Sequence, residues 1–135
     1  MPKVKRIDHV AIVIDDVDAA AAFWQDALGL SITKVEEEPA EKTVVAFLPV
    51  GDGEIELVKP TDKESGTARF LEKRGPGMHH ICLEVEGLDD MVAHLKAQGV
   101  QLITESPAQK PDGTRYIFIH PKSAQGVLVE LYEKP

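Results

Sequence analysis

His80-Ile81-Cys82-Leu83-Glu84 repeats, in register, the pattern of His9-Val10-Ala11-Ile12-Val13. Each run opens on histidine and continues as a β-like stretch. Each is followed by apolar residues at helical spacing: Val17, Ala20, Ala21, Trp24 and Leu28 in the first case, Leu88, Met91, Val92 and Leu95 in the second. Asp15-Asp16 offers an N-cap to the first helix, and Gly29 and Gly99 close the two helices where a left-handed backbone costs a glycine little. Val17-Asp18 matches Leu88-Asp89, and Leu28-Gly29-Leu30 matches Gln98-Gly99-Val100. Near the ends of the halves, Glu56-Leu57-Val58-Lys59-Pro60 answers Glu130-Leu131-Tyr132-Glu133-Lys134-Pro135. An internal repeat of this kind decides the fold.

Outward from these anchors, strands are expected over 7–14, 30–36, 43–50 and 54–59 in the first half, and over 80–85, 100–104, 114–120 and 127–133 in the second. Each half therefore reads β-α-β-β-β. The class expected is α+β: two βαβββ repeats forming curved, mostly antiparallel sheets around a metal cavity. The whole of 1–135 reads as a single domain, with repeat halves at about 5–62 and 77–135 linked by a short helix near 66–74.

The chain has 135 residues, 43% of them hydrophobic, which suffices for one core and not for two domains of ordinary size. A net charge of −8 speaks against duplex DNA and anionic membrane surfaces as partners. A small polyanionic ligand needs only a local patch, which Lys73-Arg74, Lys110, Arg115 or Lys122 can supply. The lone cysteine, Cys82, allows no internal disulfide and no cysteine-rich zinc site. The apolar runs are far too short to span a bilayer, and Asp8 and His9 interrupt the basic N-terminus before a signal sequence can form. A soluble cytoplasmic protein is expected.

Period-two geometry sorts the strand residues by face. Val10, Ile12 and Ile14 form the large apolar set that packs on the helices, so His9 faces the other side. His80, Cys82 and Glu84 likewise oppose Ile81, Leu83 and Val85, while Glu56 and Glu130 each stand between apolar neighbours. Two histidines and two glutamates at matching repeat positions converge if the sheets curve about a common cavity. Imidazole nitrogen with carboxylate oxygen suits a borderline divalent ion such as Co, Ni, Mn, Fe or Zn. His79 lies one residue off register and points away. His94 belongs to a helix surface, His120 before Pro121 to a strand end, and Cys82 reads as a small buried hydrophobe.

The chain resembles the vicinal oxygen chelate superfamily, which includes glyoxalases, bleomycin resistance proteins and dioxygenases, and within it the branch that epimerises methylmalonyl-CoA. The resemblance is carried by Asp8-His9-Val10-Ala11-Ile12, 46–51, Glu54-Ile55-Glu56-Leu57, Phe70-Leu71-Glu72-Lys73-Arg74-Gly75, Met78-His79-His80-Ile81, His120-Pro121-Lys122-Ser123 and 126–131. It implies one divalent ion per chain, cobalt first and Mn, Ni or Zn as alternatives, bound by His9, Glu56, His80 and Glu130. It implies proton transfer by Glu130 at the carbon between thioester and carboxylate, and a homodimer. Arg115 and Lys122 lie in segments resembling the substrate side and are expected to meet the polyanionic end of CoA. Some family members carry a second glutamate at the position of Val45, where this chain departs, as it does at Glu41-Lys42-Thr43. Glu54, on the Glu56 face two residues earlier, or an ordered water then remains for the second proton transfer.

Two alternative functions are compatible with the same fold. A glyoxalase I type lactoylglutathione lyase is satisfied by the same four ligands. A non-catalytic ligand-binding protein of the same fold commonly lacks the quartet that is complete here. An extradiol dioxygenase uses two histidines and one carboxylate, and a fourth protein ligand would restrict oxygen binding.

Overall fold

The structure, a computed structural model, describes residues 2–135. Its strands are β1 (Lys3–Val13), β2 (Lys34–Glu38), β3 (Thr43–Val50), β4 (Gly53–Pro60), β5 (Gly77–Glu86), β6 (Ala108–Gln109), β7 (Arg115–Ile119) and β8 (Val129–Glu133). The helices are α1 (Val17–Ala21), continued by a π-helical turn over Ala22–Ala27, then α2 (Gly66–Arg74) and α3 (Leu88–Ala97). The chain forms two compact units, His9–His79 and the N-terminal residues up to Asp8 together with His80–Pro135.

In the His9–His79 unit the strands lie in the order β2-β3-β4-β1, with β1 parallel to β4 and the other pairs antiparallel. Ile12 of β1 and Ile14 just beyond it, Ala46 and Leu48 of β3, and Ile55 and Leu57 of β4 turn one face toward Val17, Ala20 and Trp24. Leu48 and Leu57 are at most 1% exposed, and each such side chain contributes on the order of 2 kcal/mol of burial. The opposite face carries Ala11, Val45, Phe47 and Val58. Alternation, as read from the sequence, therefore sorts this sheet correctly.

Asp16 caps α1, accepting from the Asp18 and Ala19 amides at 2.9 and 3.3 Å. The helix then widens: the Leu28 amide reaches back five residues to the Phe23 carbonyl at 2.9 Å. That extra residue rotates Leu28 off the apolar stripe, and it is 54% exposed, contrary to the helical-spacing expectation. Leu30 and Ile32, beyond Gly29 at φ 88°, take its place against the core.

The second unit repeats the arrangement as β5-β8-β7-β6, again with one parallel pair, β5 with β8. Ile81, Leu83 and Val85 face Leu88, Met91, Val92 and Leu95 of α3, with Ile117, Val129 and Leu131 beneath. The N-cap of α3 is Gly87, at φ 78°, which has no capping side chain of its own. The Glu133 carboxylate of β8 fills that role, accepting from the Gly87 and Leu88 amides at 3.1 and 3.0 Å.

Three strand boundaries differ from expectation. The expected strand over 30–36 is β2 at Lys34–Glu38, because Leu30 and Ile32 are drawn into the core instead. The expected strand over 100–104 makes one bridge, Leu102 to Ile119, and the edge strand is Ala108–Gln109. Thr104 donates locally to the Ser106 carbonyl, and Pro107 has no amide to give a ladder. The first strand starts earlier than Ile7, at Lys3, where Lys5 and Arg6 pair with Glu84 at 3.5 and 3.3 Å.

Candidate active site and metal centre

Each unit holds a histidine and a carboxylate in contact on the face turned away from its helices. In the first, Glu56 faces Ala11 of β1 and Phe47 of β3 in register, and its Oε2 lies 3.2 Å from Nδ1 of His9. In the second, Glu130 faces Cys82 of β5 and Phe118 of β7, and its Oε1 lies 3.1 Å from Nε2 of His80. His9 and Glu130 are only 1% and 3% exposed. In both units the histidine stands two residues before the register partner of the glutamate. The Phe118 ring stands edge-on to His80 with centroids 5.4 Å apart.

These donors fit a metal. Two ligand atoms bound side by side at about 2.0–2.2 Å lie roughly 3.0–3.4 Å apart, and both observed nitrogen–oxygen separations, 3.2 and 3.1 Å, fall in that range. Each unit thus presents one imidazole nitrogen and one carboxylate oxygen, donor types that suit a borderline divalent cation.

The remaining residues singled out in the sequence lie as follows. His79 packs its ring edge-on against Phe70 of α2 at 5.1 Å, away from the Glu56 face. His94 is exposed on α3, and His120 accepts from the Lys122 amide at 3.0 Å, capping the 3₁₀ turn Pro121–Ser123. Cys82 is fully buried. Glu54 shares the Glu56 face, opposite His9 and Pro49 in register, and Val45 is buried opposite Val58. Lys122 is exposed. Arg115 is engaged with carboxylates, at 2.7 Å from Asp89 and 3.3 Å from Glu133. Its hydrogen bond to Asp89 raises the guanidinium pKa further and lowers that of Asp89.

Two features of this face escaped the sequence reading. Asp8, 5% exposed, is held by Lys134 at 2.8 Å, and Glu84 receives Arg6 at 3.3 Å and Lys134 at 3.7 Å. The hydrogen bond to Asp8 raises the Lys134 pKa above the ordinary lysine value. Beside Glu84 in register, Tyr132 accepts a hydrogen bond from Lys110. Tyr132 and Lys134 follow Glu130 at intervals of two, but their partners come from distant segments and left no local signal.

Residues 8–118 match the family model of the glyoxalase/bleomycin resistance protein/dioxygenase superfamily. The chain belongs to that superfamily. The human mitochondrial methylmalonyl-CoA epimerase is 38% identical over 127 residues, covering 93% of this chain and 72% of that protein. The crystal structure of methylmalonyl-CoA epimerase from Mycobacterium tuberculosis matches with a TM-score of 0.88 and 38% identity, over 98% of this chain and 89% of that one. A methylmalonyl-CoA epimerase solved in complex with methylmalonyl-CoA and NH4+ matches with a TM-score of 0.87 and 30% identity, over 98% and 96% of the two chains. The fold is thus the vicinal oxygen chelate fold that the resemblance implies. In this superfamily the paired histidines and carboxylates imply a divalent-metal site.

Proposed function

We propose that this chain interconverts the R and S epimers of methylmalonyl-CoA by proton transfer at the carbon between thioester and carboxylate. The observation that carries the reading is the duplicated histidine–glutamate diagonal, one in each repeat half, in a chain 38% identical to a protein of that activity. His9, Glu56, His80 and Glu130 would together hold one divalent ion, with cobalt preferred and Mn, Ni or Zn as alternatives. Such an ion would supply Lewis-acid stabilisation of the negative charge that develops when the α proton is removed.

The chain's own residues handle the proton. Glu130 is the base: its carboxylate takes the α proton, and the C–H electron pair moves into the thioester carbonyl to give a planar enolate. Inversion requires that a proton return on the opposite face. Val45 has no proton to give, so we assign that delivery to Glu54, or to a water it orders. Phe118 beside His80, and Phe47 opposite Glu56, keep the reacting carbon away from bulk water. Lys122 is the cation assigned to the phosphates of CoA; Arg115 is engaged with Asp89 of α3 and Glu133 of β8.

Among the described residues, no helix is long and apolar enough to cross a membrane. With a net charge of −8, a small thioester is a better partner than nucleic acid or lipid. We assign a cytoplasmic homodimer, an assembly that light scattering on the purified protein checks directly.

The deciding experiment is incubation of metal-reconstituted protein with methylmalonyl-CoA in deuterated water. Label entering the α carbon alongside epimerisation is expected. No exchange, together with isomerisation of the glutathione–methylglyoxal adduct in a parallel assay, would transfer the assignment to a glyoxalase I type lyase.

A further inference from the structure

We propose that Lys110 recognises an anionic oxygen group of the thioester substrate. The proposal rests on the epimerase reading above and names a part of its binding site.

Lys110 sits at the turn between β6 and β7. Its amide donates to the Thr114 carbonyl at 2.8 Å, the Gly113 amide returns to the Lys110 carbonyl at 2.9 Å, and Asp112 accepts from the Thr114 amide at 2.9 Å. These bonds fix the backbone from which the side chain departs. The ammonium donates to the Tyr132 hydroxyl and stands 4.8 Å from the Tyr132 ring centre and 5.7 Å from that of Tyr116. Contacts with a phenol and two aromatic faces orient the ammonium, which also attracts the Asp112 carboxylate of the same turn.

Tyr132 and Tyr116 are directly opposed in the β8–β7 register, next to the opposed pair Glu130 and Phe118. Two residues along a strand is about 6.7 Å, and the two rows share a face. A fixed, half-buried positive charge therefore lies one row from the carboxylate assigned to move the proton.

The repeat supplies an internal comparison. In the first half, the row next to Glu56 and Phe47 is Val58 and Val45. One half thus presents two valines where the other presents two phenols that hold a cation. The proposed substrate carries a carboxylate on its reacting carbon and phosphates at the end of its thioester arm, anionic oxygen groups that an ammonium one row from Glu130 can meet. The recognised group is a carboxylate or a phosphate, and an ammonium with three donors serves either.

The test is equilibrium titration of metal-loaded wild type, K110Q and K110M with methylmalonyl-CoA, propionyl-CoA and methylmalonyl-pantetheine, with metal content and melting temperature read in parallel. Two substitutions are used so that a folded variant is in hand. If Lys110 binds the acyl carboxylate, loss of the charge weakens both methylmalonyl compounds by about 10- to 100-fold and spares propionyl-CoA. If it binds phosphate, both CoA compounds weaken and the pantetheine compound is spared. Kd values within twofold of wild type for all three overturn the proposal. Wild type that binds these thioesters but does not epimerise them would refute the proposed activity and leave the Lys110 measurement standing.

Discussion

Glu130 meets His80 at 3.1 Å along a diagonal of the sheet, not across a register pair. The residue directly opposite Glu130 on the parallel strand is Cys82, two positions beyond His80. Glu56 meets His9 in the same way, past its register partner Ala11. The small residue at the register position leaves room for the carboxylate to lean back toward the histidine. The repeat thus extends to which residues meet, although His9 presents Nδ1 and His80 presents Nε2.

Metal binding follows from that diagonal. His80→Ala should abolish tight binding of one divalent ion per chain, whereas His79→Ala should retain it, since the His79 ring packs on Phe70. Elemental analysis after reconstitution and dialysis measures both. Equal stoichiometry in wild type and His80→Ala would refute the ligand assignment.

Proton transfer separates the two glutamates. Glu130→Gln should lower kcat by about 1000-fold or more from either epimer, within the range of general acid–base contributions combined with loss of a ligand. Glu54→Gln should lower kcat at least 10-fold with metal content unchanged, and deuterium wash-in should differ between the two epimers as starting substrates. Wild-type kcat in Glu54→Gln would assign delivery on that face to water.

Charge reversal at Lys122 tests the phosphate contact. Lys122→Glu should raise KM for CoA thioesters several-fold, with metal content and kcat little changed. The effect should shrink at high salt, because an exposed pair is screened. An unchanged KM would leave Lys122 as ordinary surface charge.

Thr43 offers a stability test away from the chemistry. Its hydroxyl is buried and, among the described residues, has no hydrogen-bond partner. Thr43→Val keeps the shape and removes the unsatisfied group, so it should stabilise the fold by about 1 kcal/mol. In a chain of 135 residues this amounts to a melting-point rise of roughly 3–5 °C. A lower melting temperature would show that the hydroxyl is needed.

Lys134 sets a pH dependence. The Asp8 hydrogen bond raises its pKa from the ordinary 10.5, so the folded state holds that proton more tightly than the unfolded chain does. The stabilisation is complete below pH 10.5 and is lost as the pH climbs through the higher folded value. The gap in melting temperature between wild type and Lys134→Met should therefore be constant from neutral pH to about 9 and close progressively above 10.5. A gap that already closes near neutrality would mean the contact is not carried by the ammonium.

The sequence by itself determined the repeat, the βαβββ order of each half and the face on which each histidine and glutamate stands. Alternation with period two leaves a strand residue only two directions, and a large apolar set claims one of them. It likewise separated His79 from His80, because a single step along a strand reverses the side chain. Only the tertiary structure decided that α1 widens and turns Leu28 to solvent, that the edge strand lies at 108–109, and that Glu133 caps a helix starting 45 residues earlier. Only it brought Lys110 to Tyr132 and Lys134 to Asp8. Those outcomes depend on which distant groups arrive beside a given residue, and local spacing carries no record of partners that meet only when the sheet has formed.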